Sequence, residues 1–478
     1  MLLKGRLVRR AGAAAVARMA AEFAQFATGV MLAWALSREV NGLFQKGYLV
    51  ARIVVPVVAF GLPTALYYFL PRLGRAGRRA LLMRTLGLLA CAGVAAAAAV
   101  FALAPRVAAA MGNEALVTLV RAACAVIVVS LPALAAEPLL LVAGRARAWA
   151  FASLAAAAAQ VAGVAALLFT GAPLPWLFAA IVAGALVRLV PALVLAGRLY
   201  PPGPDDADAA HPPVDASRHW RYVLPIGLAG MLDAGSLWLD RTLVALRFGD
   251  ADLAVYSYGA TEVPFIAILT GSLLPVLLPE MSARMRGGDT RGALELWHRA
   301  ARKTAPILFG LLFALLWVAP DFLAALYSER YRDSAVFFRI YLCMLPLRVV
   351  SYMPTLNALN RNRQVLAGAA GELALNVALA LWLMHPDRLG MAGAAWAMVI
   401  ATWAQVAYYL ACIRGGFGVA WRGLLPWRGL AADLAFAAAW FLPLALVAGG
   451  PRPWPALLLA GALYAGYAAV RVIPRLRS

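Results

Sequence analysis

The side chains in this sequence with chemistry to offer are ionisable groups set inside long apolar runs. Seven are basic, Arg18, Arg52, Arg121, Arg188, Arg241, Arg339 and Arg348, and seven are acidic, Glu22, Glu137, Asp233, Asp240, Glu262, Glu372 and Asp433. At mid-bilayer depth such a charge costs roughly 2.5–3.5 kcal/mol unless it faces protein or a wet cavity, so this many of them imply an internal polar surface. They are unevenly shared. Before residue 200 the arginines outnumber the acids, whereas from 218 to 414 the acids outnumber the arginines. The first half suits an anion and the second a cation or proton.

For the anion, the candidates are Arg18, Arg52, Arg121, Arg188 and Arg348. Arginine fits because its planar fork binds phosphate oxygens bidentately and keeps its charge. For the cation, the candidates are Asp233, Glu262, Glu372 and Asn376. Glu372 and Asn376 are one helical turn apart, on a face that could meet Asp233, and oxygen ligands from two helices suit Na+ or a proton relay. A hydrogen-bonded polar cluster between helices is the other reading of the same residues. Local pairing accounts for some of the remaining charges: Arg18 with Glu22 by four-residue spacing, Asp240 and Arg241 by snorkelling from an outer helix end, and Asp433 by its place near an inner end.

Other chemistry is missing. No G-x-x-x-x-G-K-[ST] loop occurs, so the chain carries no ATP engine of that kind. His211, His219, His298 and His385 are scattered without metal-ligand spacing. Cys91, Cys124, Cys343 and Cys412 fall inside apolar runs and imply no disulfide framework. No cofactor is expected beyond Na+ or H+ as a coupling ion.

The elements that must position these groups are transmembrane helices. At 64% hydrophobic and 14% charged, 478 residues cannot form a soluble domain. Apolar runs at 11–36, 47–70, 81–104, 115–142, 148–170, 175–198, 221–246, 252–280, 304–326, 335–359, 364–384, 389–413, 428–449 and 454–473 each meet the length of a span. The net charge of +21 sits in short clusters between these runs, which marks topology and not nucleic-acid binding. Most Lys and Arg fall in even-numbered connections and the termini, which puts both termini in the cytoplasm. A polar stretch, 201–217, divides an N-terminal lobe (1–200, helices one to six) from a C-terminal lobe (218–414, helices seven to twelve), with two further helices in 415–478. A second polar stretch, 287–303, has an amphipathic face and fits either a helix along the inner membrane surface or a lead-in to helix nine.

The two lobes look duplicated. Laying 42–63 over 254–275 aligns Phe44 with Tyr256, Gly47 with Gly259 and Pro63 with Pro275. Laying 138–147 over 354–363 aligns Pro138 with Pro354, Arg145 with Arg361 and Arg147 with Arg363. The order is kept along the chain, as in a parallel repeat about an axis normal to the membrane.

The run LPIGLAGMLDAGSLWLDRTLVALRFGDADLAVYSYG resembles the segment that opens the second half of bacterial polysaccharide flippases, although Ala254 stands where that pattern has Gly. LLPEMSARMRGGD, ALYSERYRDSAVFFRIYL, ALNRNRQ, ELALNVALALWL and LGMAGAAWAMVIATW follow in the same family's order. On this basis the chain is similar to the multidrug/oligosaccharidyl-lipid/polysaccharide (MOP) exporter superfamily, in its polysaccharide (O-antigen type) flippase branch. The resemblance implies an all-α polytopic membrane protein with two six-helix lobes around a central cavity. It also implies a non-enzymatic flippase of the bacterial inner membrane. Its cargo would be an undecaprenyl-diphosphate-linked glycan drawn from among the membrane lipids, with a polysaccharide polymerase and glycosyltransferases as partners. A cation-coupled multidrug exporter and a membrane glycosyltransferase are the rival readings; the small outer loops argue against the latter.

Overall fold

Runs of Ala, Leu and Val this long fold as helices in hydrocarbon because a helix satisfies its own backbone groups. The computed structural model describes all residues except Met1, 200–215, 262–279, 282–283, 286, 360, 447–452 and Ser478. The side chains of 2–11, Ala14, Arg75, Ala76, Ala216, Arg218, Asp233, Asn362, Leu476 and Arg477 also lie outside the description. Among the described residues every regular element is helical, and eleven helices are long and apolar enough to cross a membrane. Packing separates two units: Met1–Trp238 with Ala245–Ala251, and Leu239–Val244 with Asp252–Ser478.

The first unit holds α1 (Leu2–Ala35), α2 (Arg38–Ala59), α3 (Leu62–Phe69), α4 (Arg75–Ala110), α5 (Leu116–Ala133), α6 (Ala136–Val142), α7 (Ala146–Phe169), α8 (Leu177–Leu199) and most of α9 (Ala216–Arg247). Helix α1 packs on α7, α4 on α5, α7 on α8, and α5 against both α2 and α8. Helix α2 starts at Arg38 and not near 47, because Ser37 caps it by accepting a hydrogen bond from the Val40 amide at 3.3 Å. Lys46 therefore lies two turns inside a helix and is buried, where the sequence had placed it in a connection.

Two expected spans of this unit are broken. Phe60 and Gly61 both take positive φ between α2 and α3, and a Cβ on Gly61 would come within 3.0 Å of the Gly227 nitrogen on α9. Only glycine meets both demands at once. The run 115–142 is interrupted between α5 and α6, beside Pro132.

The second unit takes α10 (Asp250–Gly259) from Asp252 onward, then α11 (Thr290–Tyr327), α12 (Ala335–Leu342), α13 (Met353–Ala358), α14 (Asn362–Leu383), α15 (Met391–Phe417), α16 (Trp427–Phe441) and α17 (Pro453–Tyr467). Helix α14 packs on α15, and α11 packs on α16 and α17. The stretch 290–303 is the first part of α11 itself. Ala293, Leu296, Trp297, Ala300 and Ala301 bury its apolar face against protein, so it does not lie along the membrane surface. The run 335–359 is no single span: α12 gives way to a 3₁₀ turn, Leu345–Val349, and then α13, with Pro346 and Pro354 each at the start of a segment where a missing N–H costs nothing.

At several of the aligned positions the local backbone matches. Short helices α6 and α13 carry the paired prolines 138 and 354. After them Arg145 (φ −97°, ψ 40°) and Arg361 (φ −107°, ψ 43°) adopt the same conformation. Their amides donate to Leu140 O at 2.8 Å and Leu356 O at 2.9 Å, again equivalent positions. Paired Gly47 and Gly259 are both close-approach points: a Cβ would lie 2.9 Å from Leu119 Cβ on α5 and 2.4 Å from the Ser334 carbonyl oxygen.

Candidate functional site

In the first unit, helices α1, α2, α6, α8 and α9 bring polar side chains into one network. Arg52 lies between two aromatic faces, its guanidinium carbon 4.6 Å from the centre of the Tyr48 ring and 4.9 Å from that of Trp238. Tyr48 reaches it by four-residue spacing on α2. Arg52 also donates to Gln25 Oε1 at 2.7 Å, while Gln25 Nε2 donates to the Tyr48 hydroxyl at 3.2 Å. One amide thus fixes both partners, and the arginine is aimed before any ligand arrives.

Arg18 lies two turns before Gln25 on α1, on the same face. Its side chain is mostly exposed and pairs with Glu137 of α6 at 3.3 Å. This corrects the expected pairing with Glu22, which is exposed: Glu137 is three-quarters buried and is the carboxylate that needs a counter-charge. The Tyr67 phenol is held against the same carboxylate. Arg188 on α8 lies within electrostatic reach of Tyr48 and Glu137, and its Nε is buried without a partner among the described residues. Glu137 thus answers Arg18 directly and Arg188 from within electrostatic reach, while Arg52 is held by neutral partners, which leaves the described charges of the network net positive. Such a surface can hold an anion of two or more charges through charge-assisted hydrogen bonds.

The other two anion candidates are elsewhere. Arg121 is exposed on α5 with its guanidinium 4.7 Å over the Phe101 ring, itself exposed. Arg348 lies in the 3₁₀ turn Leu345–Val349 of the second unit and is partly buried.

In the second unit, Glu372 and Asn376 are both buried on α14. Asn376 Nδ2 lies 3.2 Å from Met398 Sδ on α15, and its Oδ1 is buried without a hydrogen-bond partner among the described residues. An orphaned carbonyl oxygen one turn from a carboxylate is a donor set that fits a small hard cation or a proton carried by the carboxyl. The side chain of Asp233 and all of Glu262 lie outside the described residues. Among the described residues no group of three His, Cys, Asp or Glu could hold a metal ion.

Asp240 is the carboxylate that the sequence reading misplaced. It is 2% exposed and does not snorkel. The Tyr256 hydroxyl donates to its Oδ2 at 3.0 Å, the Tyr341 hydroxyl donates to the same oxygen, and the Arg241 amide donates to Oδ1 at 2.7 Å. Arg241 is anchored in turn on the Ala260 carbonyl at 2.7 Å. The only hint in the sequence was Tyr256, paired by the repeat with Phe44: a core aromatic that gains a hydroxyl needs a partner. Asp433 is likewise buried, and takes Arg471 at 3.0 Å and Arg475 at 3.3 Å.

A family model described as a polysaccharide biosynthesis protein matches residues 85–336. Among curated proteins, the chain is 32% identical over 184 residues to a probable multidrug resistance protein NorM of Deinococcus radiodurans, covering 36% of this chain and 40% of that protein. It is 26% identical over 208 residues to a probable lipid II flippase MurJ of Rhizobium meliloti, covering 42% and 37%. Each alignment spans about two fifths of the length of the curated relative it matches. Among solved structures, a lipid II flippase MurJ in an inward closed conformation superposes with a TM-score of 0.70 at 13% identity, covering 95% of this chain and 98% of that one. An inward-facing multidrug resistance MATE family transporter of the MOP superfamily gives 0.66 at 13% identity, covering 83% and 94%. A MOP superfamily transporter from Pyrococcus furiosus gives 0.59 at 13% identity, covering 86% and 95%. At these identities the likeness establishes the fold.

Proposed function

We propose that this chain, which belongs to the polysaccharide biosynthesis protein family and has the fold of MOP superfamily transporters, carries a polyprenyl-diphosphate-linked oligosaccharide from the inner to the outer leaflet of the bacterial cytoplasmic membrane. The observation that carries this reading is the excess of guanidinium groups in one network: Arg18 and Arg188 have Glu137 between them, and Arg52 is aimed by Gln25, Tyr48 and Trp238 with no carboxylate of its own among those partners. A diphosphate brings two or more negative charges, and the network has guanidinium groups in excess to meet them. At an effective dielectric near 20, a charge pair at about 4 Å is worth roughly 4 kcal/mol before desolvation, enough to hold a headgroup without trapping it. The lipid tail stays in the bilayer while the headgroup crosses.

Glu372 and Asn376, with Asp233 and Glu262, are the residues we assign to ion coupling by Na+ or H+. Binding an ion at one place can drive the cargo only by stabilising one conformation over another. A polymerase and glycosyltransferases are the partners this cargo requires on either side of the membrane.

The test is surface-glycan display in a strain that depends on this chain. Arg52→Gln, expressed and inserted normally, abolishes display, while Arg52→Lys restores part of it because the charge returns without the fork. Arg18→Gln strands Glu137, so Arg18→Gln with Glu137→Gln is run beside it. Normal display in both Arg52→Gln and that double variant overturns the reading. The 32% identity to a multidrug resistance protein keeps a second reading, cation-coupled drug export. A drug-susceptibility panel on the deletion strain separates them.

A further inference from the structure

We propose a second anion site in the first unit, formed by Arg72, Tyr68, Phe69, Tyr222, His219 and Arg84, that takes the diphosphate of a lipid before it reaches Arg18 and Arg52. The order of the two sites rests on the flippase reading above; the existence of the second does not.

The geometry is that of a held guanidinium. Arg72 follows α3 and is exposed, where an arginine would ordinarily sample many rotamers. Instead its guanidinium carbon sits 3.6 Å from the Tyr68 ring centre, and it donates to the Tyr68 carbonyl at 2.7 Å. Tyr68 in turn stacks on Tyr222 of α9 at 4.4 Å, and Phe69 meets the edges of both rings at 4.9 and 5.3 Å. This aromatic block links the end of the α2–α3 segment to the first turns of α9. It presents one face of a flat cation to solvent.

The second observation is His219. It is 1% exposed, sits 5.6 Å from Phe69 across the same block, and neither ring nitrogen has a hydrogen-bond partner among the described residues. A buried imidazole with both nitrogens idle is rare in folded proteins, where such groups are paired with protein, water or ligand. Arg84, from α4, lies within electrostatic reach of it. The polar side chains at this block are therefore Arg72, the phenols of Tyr68 and Tyr222 and the His219 imidazole, with Arg84 within electrostatic reach of the last and no described carboxylate among them.

Two guanidinium groups, which only donate, beside hydroxyl and imidazole groups that can also donate, select phosphate ester oxygens, which accept and never donate when ionised. The side of the membrane follows from charge: Arg72, Arg75, Arg78, Arg79 and Arg84 crowd the turn and first residues between α3 and α4, which the positive-inside rule places in the cytoplasm. A lipid diphosphate made at the inner leaflet meets this end first. Bulk anionic phospholipid shares the phosphate chemistry but carries one charge where the diphosphate carries more.

The test uses the purified full chain in nanodiscs of neutral lipid, with Arg18→Gln and Arg52→Gln introduced to silence the network of the first site. Geranylgeranyl diphosphate and inorganic pyrophosphate are titrated by calorimetry. We expect saturable binding of both. Adding Arg72→Gln, checked for an unchanged unfolding temperature because Arg72 stacks on Tyr68, weakens it at least about tenfold; Arg84→Gln weakens it less, and Arg72→Lys recovers part of the loss. His219→Leu, checked for an unchanged unfolding temperature, weakens it in the same direction. Binding absent from the Arg18/Arg52 background, or present and unmoved by Arg72→Gln, overturns the site. Repeating the titration in phosphatidylglycerol nanodiscs decides the source: undiminished diphosphate binding supports a lipid diphosphate, whereas its full displacement assigns the site to bulk anionic lipid and overturns the proposal. Because binding is read without transport, the outcome stands apart from the fate of the Arg52 test.

Discussion

Arg52 is held on three sides by Tyr48, Trp238 and Gln25, and Lys46, six residues earlier on the same helix, is held on three sides as well. Lys46 pairs with Asp250 at 2.8 Å and donates to the Met111 and Phe248 carbonyls at 3.2 Å each, while Asn113 donates to the other Asp250 oxygen at 2.7 Å. Removing one partner of a buried pair leaves a charge in low dielectric, which costs roughly 3–5 kcal/mol, whereas replacing both with apolar groups is close to neutral. Asp250→Ala should therefore lower the unfolding temperature of the detergent-solubilised chain sharply, and Lys46→Met with Asp250→Leu should recover most of it. Equal losses in the single and double variants would show that the pair is incidental. At this scale the sequence revealed residue types and depth but not partners. Arg52 stood out as an arginine in an apolar run, yet Gln25 and Trp238 had no signal, since contacts between helices are set by tertiary packing. Lys46 falls inside α2 because the Ser37 cap starts the helix before the apolar run begins, and Asp240 is buried because neighbouring helices cover a position close to a helix end.

Among the elements, the repeated glycines are where helices touch. A Cβ at Gly259 meets the Ser334 carbonyl oxygen at 2.4 Å and Phe337 Cβ at 2.7 Å, whereas one at Gly230 meets nothing within 4 Å. Gly259→Ala should thus destabilise the chain by about 1–3 kcal/mol, the usual range for overpacking. Gly230→Ala, inside α9, should be neutral or stabilising by up to about 1 kcal/mol through helix propensity. Unfolding temperatures of the two variants check this; a silent Gly259→Ala would mean that the helix junction gives way easily. The Gly47–Gly259 pairing could be found in the sequence by its constant offset, and so could the prolines at 138 and 354. That these prolines open short separate helices could not, because an apolar run of twenty-odd residues looks the same whether or not it is broken. The stretch 290–303 shows the same ambiguity in reverse: its amphipathic face fitted a membrane surface equally well, and the protein wall against Trp297 decided the matter.

For the whole molecule, composition and charge placement carried the fold class to a polytopic helical membrane protein, because hydrocarbon leaves a chain few choices, and the order of the motif runs carried the resemblance to the MOP superfamily. The cargo was less legible, since a cationic surface reports charge and geometry but not the molecule it moves. The most direct test of the central claim is flipping in liposomes that contain the purified chain and a polyprenyl diphosphate bearing a sugar with a chemically quenchable fluorophore. We predict that the intact chain brings the inner-leaflet label out to the quencher. Arg52→Gln should slow this by about 10–100-fold, the range expected for one lost charge-assisted contact of roughly 1.5–3 kcal/mol. Wild-type flipping in Arg52→Gln, or a chain that moves cationic drugs and leaves the lipid diphosphate where it was, would contradict the account.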